Sequence, residues 1–458
     1  MLLRFRCKNF RSIREEQELS LIAAKTRTDE KGESLIDTPF KDLKLLRCAA
    51  IYGPNASGKS NVLAALSAFR QIVSDSQRLW KPNGPIPAYD PFLLDEMSRA
   101  EDTEFEISFL MDSSVFKYGF RFNQTAIHEE SLTDTTNRDK VLFRRATGGE
   151  ETEVTFPNKN LGRTLEESRH LEGIRLDVRP NSLFLSASAQ KNHPVLSKIY
   201  AYLSDIQEAL RGQNLQSLQM RTAATCSESS RRDQIARMME FADTGIHGLA
   251  VSSQDMPDAI KRPFRAFLAA LKEEKPEDFP QMEIDGFTFP PSFEVRMTHQ
   301  GVEGRQYILE TSQESDGTLA YFSILGPLLD GLRDGKVLMI DELESSLHPT
   351  LARELVRLFN SPELNPKGAQ IMFTTHSTNL LDLNLLRRDQ IWFTEKSREG
   401  ATKLFPLTDY QPRTNQDIEA GYLGGRFGAI PYLDHQLLRE SLITKEPPQA
   451  SLKFSGEA

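Results

Sequence analysis

Cysteine is scarce in this 458-residue chain, which has three, Cys7, Cys48 and Cys226, far apart and odd in number. That excludes a disulfide framework and a CxxC metal site, and leaves small core or surface residues in a reducing compartment as the expectation. Long apolar runs are also missing: VLMI at 337–340 is among the strongest, so no segment is suited to cross a membrane as a helix. The opening MLLRFRCKNFRSI is interrupted by Arg4, Arg6, Lys8 and Arg11 and lacks the apolar core of a signal peptide, which makes the cytoplasm the expected compartment. A basic excess is absent too, since 56 Lys and Arg face 65 Asp and Glu for a net charge of −9. That balance argues against wholesale nucleic-acid binding, although a local basic groove stays open. No internal repeat, low-complexity tract or sustained heptad occurs, so a long coiled coil is excluded. The remainder is ordinary, 39% hydrophobic and 26% charged, enough for two or three globular domains.

Among what is present, IYGPNASGKSN at 51–61 carries the most chemistry. Gly53, Pro54, Asn55, Ala56, Ser57, Gly58, Lys59 and Ser60 fit the pattern G-x-x-x-x-G-K-[ST], and Asn61 follows. LLRCAAIYG (45–53) reads as a strand entering the loop, and Val62, Leu63, Leu66, Phe69, Ile72 and Val73 recur at helical spacing after it. Strand, glycine loop and helix form the context that separates a phosphate loop from a chance match. Glycines let consecutive backbone N–H groups approach phosphate oxygens; Lys59 would then reach the β and γ phosphates and Ser60 would ligate Mg²⁺.

A second half of the site is expected on apolar strands that end in polar residues. VLMIDE (337–342) delivers Asp341 to a strand's carboxyl end, where it would hold Mg²⁺ through water. Glu342 would polarise the attacking water as general base. QIMFTTHS (370–377) ends at His376, which can face the same crevice and contact the γ-phosphate. In SQESDGTLAYFSIL (312–325), Ser315, Asp316 and Gly317 form a polar turn opening a helix, which reads either as an anion site or as an ordinary N-cap.

Elsewhere LLRFRCKN (2–9) alternates as a half-exposed strand, and EFEISFLM, VFKYGFRF and KVLFRR between 104 and 156 read as antiparallel strands. SLFLSAS (182–188) reads as a further strand, and 194–277 reads as helical stretches, LSKIYAYLSDIQEALRG, RRDQIARMMEFAD and DAIKRPFRAFLAALKEE, punctuated by Gly, Ser and Pro. PSFEVRMTH and RQYILETS return to strand, a helix is expected from Pro349, and EPPQASLKFSGEA is expected to be a loose tail. The expected domains are an N-terminal part of a head at 1–95, a β-rich subdomain at 96–190 and a helical insertion at 191–285. The C-terminal part of the head follows at 286–445, with a flexible tail at 446–458.

Taken in order, the glycine loop, SDGT, VLMIDE, SSLHP (345–349) and TTHS resemble an ABC-type ATPase head of the SMC/RecF/OLD-like class, not a membrane transporter. KNFRSI (8–13), ADTGIHGLAV (242–251) and YLGGRFGAIP (422–431) are similar to segments of stand-alone bacterial members often classed as AAA ATPases. The resemblance implies an α/β P-loop head with an antiparallel β subdomain and a helical insertion in place of a coiled coil. It implies ATP and Mg²⁺ as cofactors, and a homodimer or higher homo-oligomer engaged around ATP. Within it, Ser315 and Gly317 would act in trans on the γ-phosphate, Ser345 to Leu347 would pass between protomers, His376 would be the switch histidine, and Arg11 would approach the phosphates. The chain departs from the class in carrying SDGT and not LSGGQ, and in having no assignable Q-loop glutamine. The absence of NKxD favours ATP over GTP.

Proteins of this kind occur in two-gene bacterial anti-phage systems of the PARIS, Septu and abortive-infection types, paired with a nuclease or TOPRIM-like effector. The 82 residues that follow His376 hold no paired-acid DxD, so nuclease chemistry is expected in a partner. The resemblance therefore implies an ATP-driven switch controlling a separately encoded effector. The alternative is a RecF-like repair ATPase that clamps DNA, for which RRDQIAR (231–237) and MRTAATCSESSRR (220–232) are the basic candidates. A metabolic P-loop kinase would leave the SDGT turn and His376 without a purpose.

Overall fold

The computed structural model describes residues 1–25, 34–148, 151–157, 161, 165–209, 215–254, 258–274, 292–412, 416–431 and 434–443. The tail expected at 446–458 lies outside them. Apolar runs that do not alternate belong to strands covered on both faces, and here they form the central sheet. Its order is Gln207–Ala209, Val337–Ile340, Gln370–Thr374, Cys48–Tyr52, Ile391–Lys396 and Thr402–Pro406. The first five strands run parallel, and the last returns antiparallel to close the edge. Ala49, Ile51, Val337, Met339 and Met372 pack on one side; Cys48, Ala50, Tyr52, Leu338, Ile340, Ile371 and Phe373 pack on the other.

The first side is covered by the helix Lys59–Asp75, which a second sheet then covers in turn. That sheet is antiparallel, in the order Glu151–Thr155, Lys140–Gly148, Ile127–Asp134, Ser114–Phe122, Thr103–Met111, Leu2–Lys8 and Gln17–Ser20. Phe5, Phe105, Tyr118, Phe120 and Phe122 point inward from it, and Phe69 of the helix lies stacked on Phe120 at 5.3 Å. Burying each such ring contributes on the order of 1.5–3 kcal/mol. Gln370 joins the two sheets: its carbonyl accepts from Leu2 N at 2.6 Å and its amide donates to Leu2 O and Leu46 O, both at 3.0 Å.

The other side carries the helices Asp316–Asp334 and Pro349–Asn360. Pro327 has no N–H, so the Ser323 carbonyl loses its helical donor; the Thr222 hydroxyl of helix Leu215–Thr225 donates to it at 2.8 Å instead. A proline inside the helix thus becomes a docking point for the neighbouring helix.

The α/β fold with its antiparallel β subdomain is the one expected. Local assignments differ in two places. Residues 184–190 form a buried helix, not a strand. Its first N–H groups, on Phe184 and Leu185, donate to the buried carboxylate of Glu130 at 2.7 and 2.9 Å, while the Ser186 and Ser188 hydroxyls bond to backbone carbonyls. A short apolar run is ambiguous, and an acid 54 residues away decides it. The stretch 194–277 is not uniformly helical either. Helices Leu196–Ser204, Leu215–Thr225, Ser229–Phe241 and Asp258–Glu274 are interrupted by the edge strand Gln207–Ala209 and by Ile246–Gln254. The latter joins Ser292–Gln300 and Gln306–Glu310 in a three-stranded sheet.

Candidate functional site

Five parallel strands share one carboxyl edge, and four of them deliver the candidate residues there. Cys48–Tyr52 leads into the glycine loop, Val337–Ile340 into Asp341 and Glu342, Gln370–Thr374 into His376, and Ile391–Lys396 ends at Lys396. Together the loop Asn55–Asn61, Glu342, His376 and Lys396 line a cleft of about 490 Å³. Crevices outside the carboxyl ends of such strands are where ligands of open α/β sheets bind.

The loop is shaped from below. The Lys59 ammonium donates to the carbonyls of Gly53 and Pro54 at 2.9 and 3.1 Å. Burial lowers the Lys59 pKa, and Asp341, Glu342 and Glu344 oppose that shift. A cation disfavoured by burial gains from an added anion. Gly58 has φ +104, and a Cβ there would collide with the Thr402 side chain. The Thr402 hydroxyl donates to the Ser57 carbonyl at 2.9 Å, and the hydroxyls of Ser57 and Thr394 pair at 2.6 Å. The hairpin 391–406 therefore clasps the loop.

The acids are laced to the neighbouring strand. Ser60 Oγ donates to Asp341 Oδ1 at 3.0 Å, and Thr374 Oγ1 donates to the same oxygen at 2.5 Å. Thr374 Oγ1 also accepts from the Glu342 N–H at 2.7 Å. Glu342 and Ser346 both sit at positive φ, +54° and +62°, a conformation that costs a non-glycine residue about 1–2 kcal/mol. A hydroxyl and a carboxylate facing each other form an oxygen donor pair suited to a hard cation such as Mg²⁺. Among the described residues no group of three or more His, Cys, Asp or Glu could hold a metal by protein ligands alone. A Ser–Asp pair that leaves positions to phosphate and water fits Mg²⁺ better than a closed protein cage does. His376, exposed at the cleft, has its pKa lowered by partial desolvation and then by Lys59, with the three acids opposing.

Not every expected residue is in the cleft. Ser315 caps the helix Asp316–Asp334, accepting from Thr318 N at 3.1 Å, and is exposed. Gly317 lies so close to the Ser346 carbonyl that a Cβ would stand 2.7 Å from it, which sets the SDG turn beside the Ser345–Leu347 loop. Arg11, at φ +50°, is turned away from the loop: its Nε donates to Asp90 at 2.8 Å and its guanidinium lies over Phe10. Its neighbour Ser12 is the nearer group, since the Asn61 amide donates to Ser12 Oγ at 2.6 Å and that hydroxyl pairs with Thr402 at 2.8 Å. Lys396, Thr394 and Thr402 escaped sequence reasoning because strand pairing, and no local pattern, brings them here, while Ser12 was passed over within KNFRSI in favour of Arg11.

The family model described as "AAA domain, putative AbiEii toxin, Type IV TA system" matches residues 48–382, from the strand that enters the glycine loop to beyond His376. The chain belongs to this AAA-domain family. No curated protein matches it. Among solved structures it is similar to the SMC head domain from Thermotoga maritima, at 12% identity and TM-score 0.39, covering 88% of this chain and 98% of that one. An SmcHead bound to the C-winged helix domain of ScpA is similar at 12% identity and TM-score 0.41, with 88% and 97% covered. An Smc head with an extended coiled coil, bound to the C-terminal domain of ScpA and derived from Pyrococcus furiosus, stands at 11% and 0.37, with 93% and 98% covered. No described helix of this AAA-domain chain is long and apolar enough to cross a membrane.

Proposed function

We propose that this AAA-domain protein is an Mg²⁺-dependent ATP switch whose heads engage around ATP to control a separately encoded effector in bacterial anti-phage defence. The observation that carries the reading is the convergence of Lys59, Ser60, Asp341, Glu342 and His376 at one sheet edge. In it, the glycine loop and Lys59 bind the phosphates. Ser60, and Asp341 through water, would hold Mg²⁺, which would supply charge neutralisation at the phosphate oxygens. Glu342 takes a proton from the water attacking the γ-phosphorus, and the bond to the β–γ bridging oxygen breaks to leave ADP and phosphate. His376 contacts the γ-phosphate. Ser315, exposed, and Gly317, half-buried beside the Ser345–Leu347 loop, supply the trans contact of a second protomer.

The family description, which names a putative AbiEii toxin of a Type IV TA system, supports a partnership with a separately encoded component; a TOPRIM-like nuclease is the partner proposed here. The RecF-like alternative requires a free basic stripe. Arg231 of that stripe is instead buried against Asp330 at 2.5 Å, and Arg221 lies 3.8 Å from the same acid.

The test is sizing by light scattering with and without Mg·ATP. Glu342→Gln should hold ATP and double in mass, and Ser315→Arg added to it should return the monomer while leaving ATP affinity intact. A mass that ignores ATP in Glu342→Gln overturns the engaged-head reading. Capture of the neighbouring gene's product in an ATP-dependent manner tests the effector.

A further inference from the structure

The turn after Asp341 and Glu342 carries a third carboxylate, Glu344. Its Oε1 accepts the backbone N–H of His376 at 2.5 Å. The flanking residues are held differently: Thr375 N donates to the Ile51 carbonyl at 3.1 Å, and Ser377 N to Thr375 Oγ1 at 3.0 Å. His376 sits one residue beyond the last backbone bond that ties this segment to the sheet. Its imidazole has no hydrogen-bond partner among the described residues, so its direction follows from its backbone.

Glu344 is also placed where packing alone would not favour an acid. Its Oε2 is buried without a hydrogen-bond partner, and the same holds for the hydroxyl of Tyr52, the residue before Gly53. Leaving a buried polar group unpaired costs about 1–3 kcal/mol, and such groups in native structures call for an explanation. The Glu344 charge is, after burial itself, the largest influence raising the Tyr52 pKa, so the two groups share one environment. Glu344 therefore touches the His376 segment on one side and faces the root of the glycine loop on the other.

We propose that Glu344 is the positioning residue of His376, fixing the backbone of that histidine against the turn that carries Asp341 and Glu342. It binds neither phosphate nor metal and acts only through His376. The inference rests on His376 contacting the γ-phosphate, and a displacement of the order of 1 Å in such a contact can cost up to about 100-fold in rate.

The experiment is a double-mutant cycle of ATP turnover with Glu344→Ala, Glu344→Gln and His376→Ala, joined to NMR of the isotope-labelled histidines. Glu344→Ala should lower kcat at least about tenfold with KM little changed. Glu344→Gln, whose amide oxygen still accepts from the His376 N–H, should recover most of that loss. If Glu344 acts through His376, Glu344→Ala should change turnover less than about twofold in the His376→Ala background. The His376 resonance, identified by its loss in His376→Ala, should move in Glu344→Ala and stay in place in Glu344→Gln.

An undiminished kcat in Glu344→Ala, or full additivity with His376→Ala, overturns the proposal. If Glu344→Ala does not fold, Glu344→Gln decides: a resonance that moves there as far as for a lost anchor overturns it. Should His376→Ala itself turn over like wild type, the reading of His376 fails while the NMR arm still tests the anchor.

Discussion

Glu130 and Arg145 lie 3.5 Å apart in the antiparallel lobe, with no side-chain exposure on either partner. Glu130 accepts from Tyr118 and from the N–H groups of Phe184 and Leu185, and Arg145 donates to the carbonyls of Ser182, Arg179 and Pro180. Burial pushes the Glu130 carboxyl up, and Arg145 with the surrounding donors pulls it back. In the cleft, Lys59 faces Asp341, Glu342 and Glu344, yet its ammonium is bonded to carbonyls, His376 is exposed, and Lys396 has no ion-pair partner among the described residues. Both places gather opposite charges. The first pairs its charges within the protein, leaving only the Arg145 Nε without a hydrogen-bond partner, and fixes a helix; the second leaves capacity for a ligand.

The sharpest way to break that comparison is Lys59→Ala. ATP affinity should fall by 100-fold or more, about 2.7 kcal/mol or above, with the melting temperature within about 2 °C of wild type. A fluorescent-nucleotide titration beside a thermal melt reads both. Arg145→Met should do the reverse, costing about 3–5 kcal/mol in urea unfolding because Glu130 stays buried without its cation. A cost under about 1 kcal/mol would erase the distinction between the two clusters. Lys396→Ala should weaken ATP about five- to tenfold at low salt, with the gap narrowing as salt is raised; equal affinities across the salt series would remove Lys396 from the cleft's chemistry.

The smallest effect concerns His376. Although its side chain is exposed, its folded pKa lies below the ordinary 6.5, chiefly through partial desolvation against the cleft wall and then through Lys59. Between the folded value and 6.5 the unfolded chain binds more protons, so this contribution to stability is present above 6.5 and is lost as pH falls through the folded pKa. His376→Ala should therefore lose less melting temperature than wild type between pH 7.5 and 5.5. Parallel curves would count against the shift.

Much of the head was legible because its signals are contiguous. Gly53 to Ser60, the apolar runs ending at Asp341 and Thr374, and the helix opening at Ser315 each carry their pattern within a few residues. The parallel strands then bring them to one edge without further instruction. Groups that depend on a distant partner were not legible. Residues 184–190 became helix through Glu130, and 207–209 became strand by pairing with Leu338 to Ile340. Lys396 and Thr402 reach the loop only through the closing hairpin. Arg11 sits in the expected KNFRSI segment, but the left-handed turn there sends its side chain to Asp90.

The clasp on Ser57 by Thr394 and Thr402 has a consequence for synthesis of the protein. The residues that hold the glycine loop's shape are made more than 300 positions after the loop itself. A nascent chain therefore carries the loop's sequence long before it carries its structure. The loop's shape is therefore a property of the assembled sheet and not of its own segment.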